Sequence, residues 1–359
     1  MTILGLRQRG IIANRVRIAK EHLATEINVD FFKRHPEWRE RYGERGVQLG
    51  YEDACFHIDF LSAALEVGEV LAYVEYATWA RRMLEARGIA STFLAENLLQ
   101  VGNAAASVLD PVGKDYVAPF VSAAVAACNQ PLPALVPPET VVVVFVQALL
   151  AGNRNAALNI ARESLRGGKP VRDVYLHLLQ PAMYEIGRLW ETNRITVARE
   201  HMATAITQYV MAQLFPLLGQ SGIASRGRVV VAGVQGELHQ IGAMMVSDVL
   251  ESDGWQVCFL GSNMPHSGIL ETMEQEAASL LCISTTILFN IPKSVELIRS
   301  VRTRFPGLAI MVGGGAFKSS AGLWKEVGAD FFAPDLEGAM YSARNLGGEL
   351  PSRNAASKS

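Results

Sequence analysis

The sequence predicts a helical N-terminal part followed by an α/β domain: an all-helical domain, a four-helix bundle, then a flavodoxin-like, doubly wound five-stranded parallel sheet. Three observations carry that prediction. Apolar residues recur at helical spacing up to about residue 218. From Arg228 the period changes to short β-branched runs alternating with amphipathic segments. Four of the 15 prolines fall within Pro131–Pro138 and mark a stiff linker between two helical blocks.

The first block covers residues 1–130. Its helical spacing is clearest through Phe56–Leu65 and Leu71–Leu84. Arg87-Gly88 suits a helix end, and Ser91 is placed to cap the next helix toward Leu99. Residues 1–45 carry ten basic and six acidic side chains, as a solvated amphipathic helix does. Trp38, Tyr42, Tyr51, Phe56, His57, Phe60, Tyr73, Tyr76 and Trp79 read as an aromatic core.

The second block covers residues 137–220. Helices are predicted over Glu139–Leu150, Arg154–Leu165, Val171–Trp190 and Thr196–Leu218, with Gly152, Gly167-Gly168 and Thr192-Asn193 between them. Short connections make an antiparallel bundle the natural packing. Gly219–Gly227, rich in small residues, is predicted to be a loop. The third block, residues 226–346, has strands at Arg228–Val234, Gln256–Leu260, Leu280–Ser284, Ala309–Val312 and Asp330–Phe332. Helices are expected at Ile241–Glu251, Ser267–Ala278, Ile291–Phe305 and Ser319–Val327. The polar tail, residues 347–359, is expected to fray.

Composition excludes several classes. Of 359 residues, half are hydrophobic and 19% charged, enough for large cores and too apolar for a disordered chain. A net charge of −2 gives no global basic field for nucleic acid or an anionic membrane. Cys55, Cys128, Cys258 and Cys282 lie far apart without a CxxC, so neither a zinc ribbon nor a disulfide framework is suggested. The longest apolar stretches run about a dozen residues, against about 20 for a spanning helix, and Met1–Arg9 lacks a signal-peptide pattern. A cytoplasmic protein is expected. No Ser-His-Asp set, paired-carboxylate site or P-loop is present. The expectation is a protein that is not an enzyme and has no catalytic residue.

The loop after the first strand reads Gly233-Val-Gln-Gly-Glu237-Leu238-His239-Gln-Ile-Gly242. It falls at the carboxyl edge of the sheet, where doubly wound folds bind ligands. It is neither a G-x-G-x-x-G fingerprint nor a Walker loop. A carboxylate two residues before a histidine can hold one ring nitrogen and free the other to ligate a metal. The alternative is a histidine that caps the following helix. Ser284-Thr285-Thr286 ends the third strand and Gly313-Gly314-Gly315 the fourth, on the same edge. Small side chains there open a narrow cleft, and glycines permit close backbone approach. Taken singly, each is ordinary turn chemistry.

Together these residues resemble the cobalamin-binding domain family, whose pattern is Asp-x-His-x-x-Gly, then Ser-x-Leu or Ser-x-Thr, then Gly-Gly. Here the pattern stands as Glu237-x-His239-x-x-Gly242, Ser284-x-Thr286 and Gly313-Gly314, with glutamate for aspartate. Gly261, Pro265 and Gly328-Ala-Asp330 also fall where that family has them. The resemblance implies a corrinoid bound base-off with His239 on cobalt. It places the nucleotide tail past Ser284, Thr286, Gly313, Gly314 and Gly315, with Leu238, Gly261 and Asp330 in the pocket.

The helical block ahead of it resembles the cap of CarH-type photoreceptors, in which Trp, nine residues and Glu-His cover the upper corrinoid face. Trp190, Glu200 and His201 keep that spacing. Beside Trp190 stands Glu191, where such photoreceptors can have a cobalt-capturing histidine. The DNA-binding domain of that subgroup is absent, so no direct nucleic-acid binding is implied. The layout resembles the photocobilin group, and the aromatic first domain a globin-like sensor.

The resemblance implies a photoreceptor that binds adenosylcobalamin and signals by light-driven loss of the adenosyl group, as a homo-oligomer without membrane contact. It allows a second tetrapyrrole, biliverdin or another bilin, with Cys55 or Cys128 as attachment points. The alternatives are a corrinoid methyl carrier of a methyltransferase system and a light-insensitive cobalamin sensor.

Overall fold

A computed structural model describes residues 4–219, 226–318, 320 and 322–346. The expected tail and most of the expected Gly219–Gly227 loop lie outside these residues. The chain divides into two compact units, Met1–Pro137 with Ile186–Glu200, and Pro138–Glu185 with His201–Ser359.

The first unit is helical: α1 Leu6–Ile18, α2 Lys20–Arg34, α3 Pro36–Val67, α4 Val70–Glu85, α5 Ser91–Ser107 and α6 Pro111–Ala127. Gly68 ends α3 in the left-handed region that an L side chain resists (φ 84°). Asp110 caps α6 by accepting from the amide of Gly113 at 2.9 Å, with Pro111 behind it. Ser91 does not cap α5. Ala90 holds the cap position and no side chain bonds there.

The Ile186–Glu200 hairpin groups with this unit, whereas the sequence placed it in the 137–220 bundle. Three contacts to α4 and its C-terminal turn explain that. Trp190 stacks near Trp79 (centroids 6.5 Å), Arg82 pairs with Glu191 at 3.1 Å, and Arg87 Nη1 donates to the Glu191 carbonyl at 3.0 Å. Burial raises the Glu191 pKa, and Arg82 opposes the rise.

The second unit begins with α7 Thr140–Leu150, α8 Arg154–Glu163 and α9 Val171–Val174. A π-helical turn at Tyr175–Leu179 leads into α10 Gln180–Glu191, and α11 Val197–Leu214 follows the hairpin. Tyr175, fully buried in the π turn, donates to Asp248 Oδ2 at 2.8 Å. Burial pushes the Asp248 carboxyl up to about 6, and the tyrosine bond opposes the shift.

A carboxyl raised on folding stabilises most below its unfolded value of about 4. That contribution is lost as pH rises through about 6. Asp248→Asn removes the ionisation while keeping an acceptor for Tyr175. It is expected to raise stability at pH 8 by about 1–2 kcal/mol, discounted for partial exposure, and by far less at pH 4.5. Thermal unfolding at the two pH values checks this. An equal effect at both would mean that the carboxylate is not the origin.

The sheet contains β1 Arg228–Val234, β2 Gln256–Met264, β3 Leu280–Ser284, β4 Ala309–Gly313 and β5 Phe331–Ala333. It is parallel throughout, in the order β2-β1-β3-β4-β5. The expected doubly wound α/β class is therefore the observed one. Helices α12 Ile241–Ser252, α13 His266–Gln275, α14 Ile291–Arg304, α15 Gly315–Lys318, α16 Leu323–Glu326 and α17 Leu336–Arg344 alternate with the strands. Val229, Val231, Leu280, Cys282, Ala309 and Met311 pack one buried cluster. Such continuous apolar strands suit a sheet buried on both faces. The strand order reverses at β1, so a crevice opens between the carboxyl ends of β1 and β3.

Candidate functional site

The loop from Val234 to α12 sits at that switch point. Gly236 turns it with φ 86°, and its amide donates to Asn263 Oδ1 at 2.8 Å. The turn carries the Glu237 side chain inward to full burial and leaves the His239 side chain 57% exposed. Glu237 Oε1 bonds His239 Nδ1 at 2.6 Å and accepts from the His239 amide at 3.0 Å. Glu237 Oε2 accepts from the amides of Thr286 (2.7 Å) and Ile287 (3.1 Å) and from Asn290 Nδ2 (3.2 Å).

Burial alone would raise the Glu237 pKa. The bonds from the His239 ring and amide and from the Ile287 and Thr286 amides outweigh it and hold the carboxyl below its usual range. Glu237 is therefore held as a carboxylate against Nδ1, where it accepts a hydrogen bond from the ring N–H and orients the imidazole. The additional length of glutamate over aspartate places Oε2 within reach of the β3–α14 turn.

Three strand ends lie level beside this dyad. Ser284 is opposite Gly233 on one side and Gly313 on the other, and Gly261 is opposite Ala232. Gly242, in the first turn of α12, has nothing within 4 Å of the position a Cβ would take. The protein's own packing does not require glycine there, which fits a bound group lying against that face. Leu238 is 72% exposed on the same loop.

Other expected residues pack against backbone or stand away from the dyad. Gly314 adopts φ 98°, and its missing Cβ makes room for the Thr285 backbone. A Cβ on Gly315 would meet the Thr286 carbonyl oxygen at 3.1 Å, and one on Gly313 the Ala333 carbonyl oxygen at 3.2 Å. The triple glycine thus accommodates neighbouring strand ends. Asp330 lies at the amino end of the sheet, where it accepts from Arg302 Nη2 at 2.6 Å and the Ile310 amide at 2.8 Å. It is a structural ion pair, away from the His239 edge. Trp190 and Glu200 belong to the first unit, and His201 to the second.

No pattern in the sequence points to Asn290 or Asn263. Asn290 is buried before α14 and meets Glu237 only through a contact 53 residues long in sequence.

Two family models match the chain, both described as B12 binding domain, at residues 144–215 and 227–342. The chain carries B12-binding domains, which indicates a cobalamin or corrinoid cofactor. Dimethylamine corrinoid protein 1 of Methanosarcina acetivorans is 25% identical over 204 residues, 55% of this chain and 93% of that one. Methionine synthase of Mycobacterium tuberculosis is 26% identical over 182 residues, 49% of this chain but only 15% of the synthase. The solved structure of the Methanosarcina barkeri monomethylamine corrinoid protein aligns with a TM-score of 0.49 at 22% identity, over 56% of this chain and 96% of that one. No helix among the described residues is long and apolar enough to cross a membrane.

Proposed function

We propose that the chain is a corrinoid carrier that holds cobalamin base-off on His239 and presents it to a methyltransferase, itself catalysing nothing. The observation that carries this reading is the fully buried Glu237 carboxyl fixed on Nδ1 of an outward-facing His239. The resemblance to a dimethylamine corrinoid protein over 93% of its length supports the carrier role.

When bound, the corrinoid supplies a cobalt ion that takes up and gives up an alkyl group. The chain's own residues bind and orient it. His239 would hold the cobalt through Nε2, and Glu237 would keep the proton on Nδ1. Ser284, Gly233 and Gly313 form a level shelf of small residues for the nucleotide tail, and Gly242 leaves the loop side open.

Protein loaded with methylcobalamin, kept dark and mixed with a corrinoid-dependent methyltransferase and a thiol, is expected to methylate the thiol. Retention of the methyl group would overturn the carrier role. Loading is also expected to stabilise the fold: free cobalamin at a hundred times its Kd adds about 2.7 kcal/mol. A Tm independent of cobalamin would remove the site itself.

A second reading is a photoreceptor whose cofactor is adenosylcobalamin, with a bilin such as biliverdin in the helical unit and a change of oligomeric state as output. It is favoured by the Trp190, Glu200-His201 spacing and by the residues before 144, which lie outside both matched ranges. An absorption change of the adenosylcobalamin-loaded protein under green light, faster than that of the free cofactor, would support it.

A further inference from the structure

The geometry points to a redox-active tyrosine in the helical unit: Tyr76, hydrogen-bonded to His57 and oxidised by way of Trp190 and Trp79. This inference is independent of the corrinoid reading. Tyr76 and His57 are 5% and 4% exposed, and Tyr76 Oη lies 2.6 Å from His57 Nδ1. Tyr73 Oη donates to the His57 carbonyl at 3.4 Å, which helps to hold the histidine in place. From this pair a row of rings runs to the hairpin. Trp79 is 6.0 Å from Tyr76 at 32°, and Trp190 is 6.5 Å from Trp79 at 30°. Phe60 stacks on Tyr76 at 3.8 Å and 14°, covering the phenol face. Trp190 is half-buried, so the row leads from a partly accessible indole to an enclosed phenol.

An aromatic core needs no such terminus. A phenol inside a core is satisfied by any acceptor, and a carbonyl is the common one. Here the partner is an imidazole, which in the tautomer with its proton on Nε2 accepts from the phenol, and can take the phenol's proton and remain bonded. Burial lowers the His57 pKa to about 4, so the ring is neutral at pH 7 and has a lone pair to offer. Burial, with Tyr73, Asp53 and Asp59 adding to it, holds the Tyr76 phenol well above its usual range, so it does not ionise unaided.

The oxidant the chemistry requires is a one-electron oxidant of the radical class, strong enough to oxidise indole at Trp190. One electron leaves Trp190. Trp79 refills it, and Tyr76 refills Trp79. As Tyr76 gives up its electron, its O–H bond breaks and the proton moves to His57 Nδ1. The products are a neutral tyrosyl radical and an imidazolium, and no proton leaves the protein. Direction is built in at both ends. The Arg87 guanidinium lies 5.9 Å from the Trp190 ring and disfavours positive charge there. Tyr76 sheds its positive charge onto its partner.

The test uses the full chain with photogenerated tris(bipyridine)ruthenium(III) as oxidant, read by transient absorption and by electron paramagnetic resonance after freeze-quenching. A tyrosyl radical is expected in the wild type, formed with a solvent deuterium isotope effect above about 1.5. Tyr76→Phe, which removes one hydroxyl, is expected to lower its yield at least fivefold. Trp79→Phe is expected to slow its formation at least tenfold with the fold intact by circular dichroism. His57→Gln is expected to shift the radical's spectrum by altering the bond to its oxygen. An unchanged yield in Tyr76→Phe would overturn the assignment, because other tyrosines would then carry the signal. So would an unchanged rate in Trp79→Phe, or the absence of an isotope effect in the wild type.

Discussion

Glu237→Gln is expected to abolish ligation by His239 while leaving the domain folded. Three donors converge on Glu237 Oε2, the amides of Thr286 and Ile287 and the side chain of Asn290. In the variant only the amide oxygen can occupy that corner, which turns the NH2 group toward His239 Nδ1. Nδ1 must then accept, and the imidazole proton moves to Nε2, the atom that would bind cobalt. Corrinoid affinity is expected to fall about 10–100-fold, and stability by about 1–3 kcal/mol. The decisive observation is the nitrogen coupling in the electron paramagnetic resonance spectrum of the one-electron-reduced, loaded protein. Its survival in Glu237→Gln would show that the carboxylate does not set the tautomer.

Gly314→Ala is expected to have the largest effect on stability. Its φ of 98° disfavours any L side chain, and a methyl there would overlap the Thr285 carbonyl oxygen and approach its carbonyl carbon to 2.6 Å and its nitrogen to 2.9 Å. Backbone cannot yield as a side chain can, so a loss of about 3–5 kcal/mol is expected. Gly242→Ala is the matched control. It sits in a helix with nothing within 4 Å of a new Cβ, so its stability should hold or rise slightly while corrinoid affinity falls. Urea unfolding of the two corrinoid-free variants checks the pair. Equal stability losses would mean that the two glycines serve the same purpose.

The contrast between these glycines shows what sequence spacing could and could not say. The β-branched runs at Arg228–Val234 and Leu280–Ser284 announced buried parallel strands, because both faces of such strands are covered. Strand β2 continues four residues past the expected Leu260. Shifts in its pairing near Ala232 and Gly261 break the regular alternation on which a strand is recognised. Glu237 and His239 were readable as neighbours two residues apart. Asn290 was not, because its meeting with Glu237 exists only once β1 and β3 are paired. Asp330 stands apart from the His239 edge for the opposite reason. It is next to β5 in sequence, but register puts it opposite Ile310, at the start of β4. Trp190 was placed by its distance from Glu200-His201, and its neighbours Trp79 and Arg87 lie more than 100 residues earlier.

The spread of Glu237's partners has a consequence for synthesis of the protein. A nascent chain that has emerged only through β2 already contains His239, but none of the three donors to Oε2, which lie 49, 50 and 53 residues beyond Glu237. Until they arrive, the carboxylate has no reason to remain buried, and the histidine has no fixed tautomer. Closing that loop is a non-local event and comes late. If His239 is the cobalt ligand proposed above, it would reach its ordered geometry only after β3 has docked, and cofactor loading would report on a nearly complete domain.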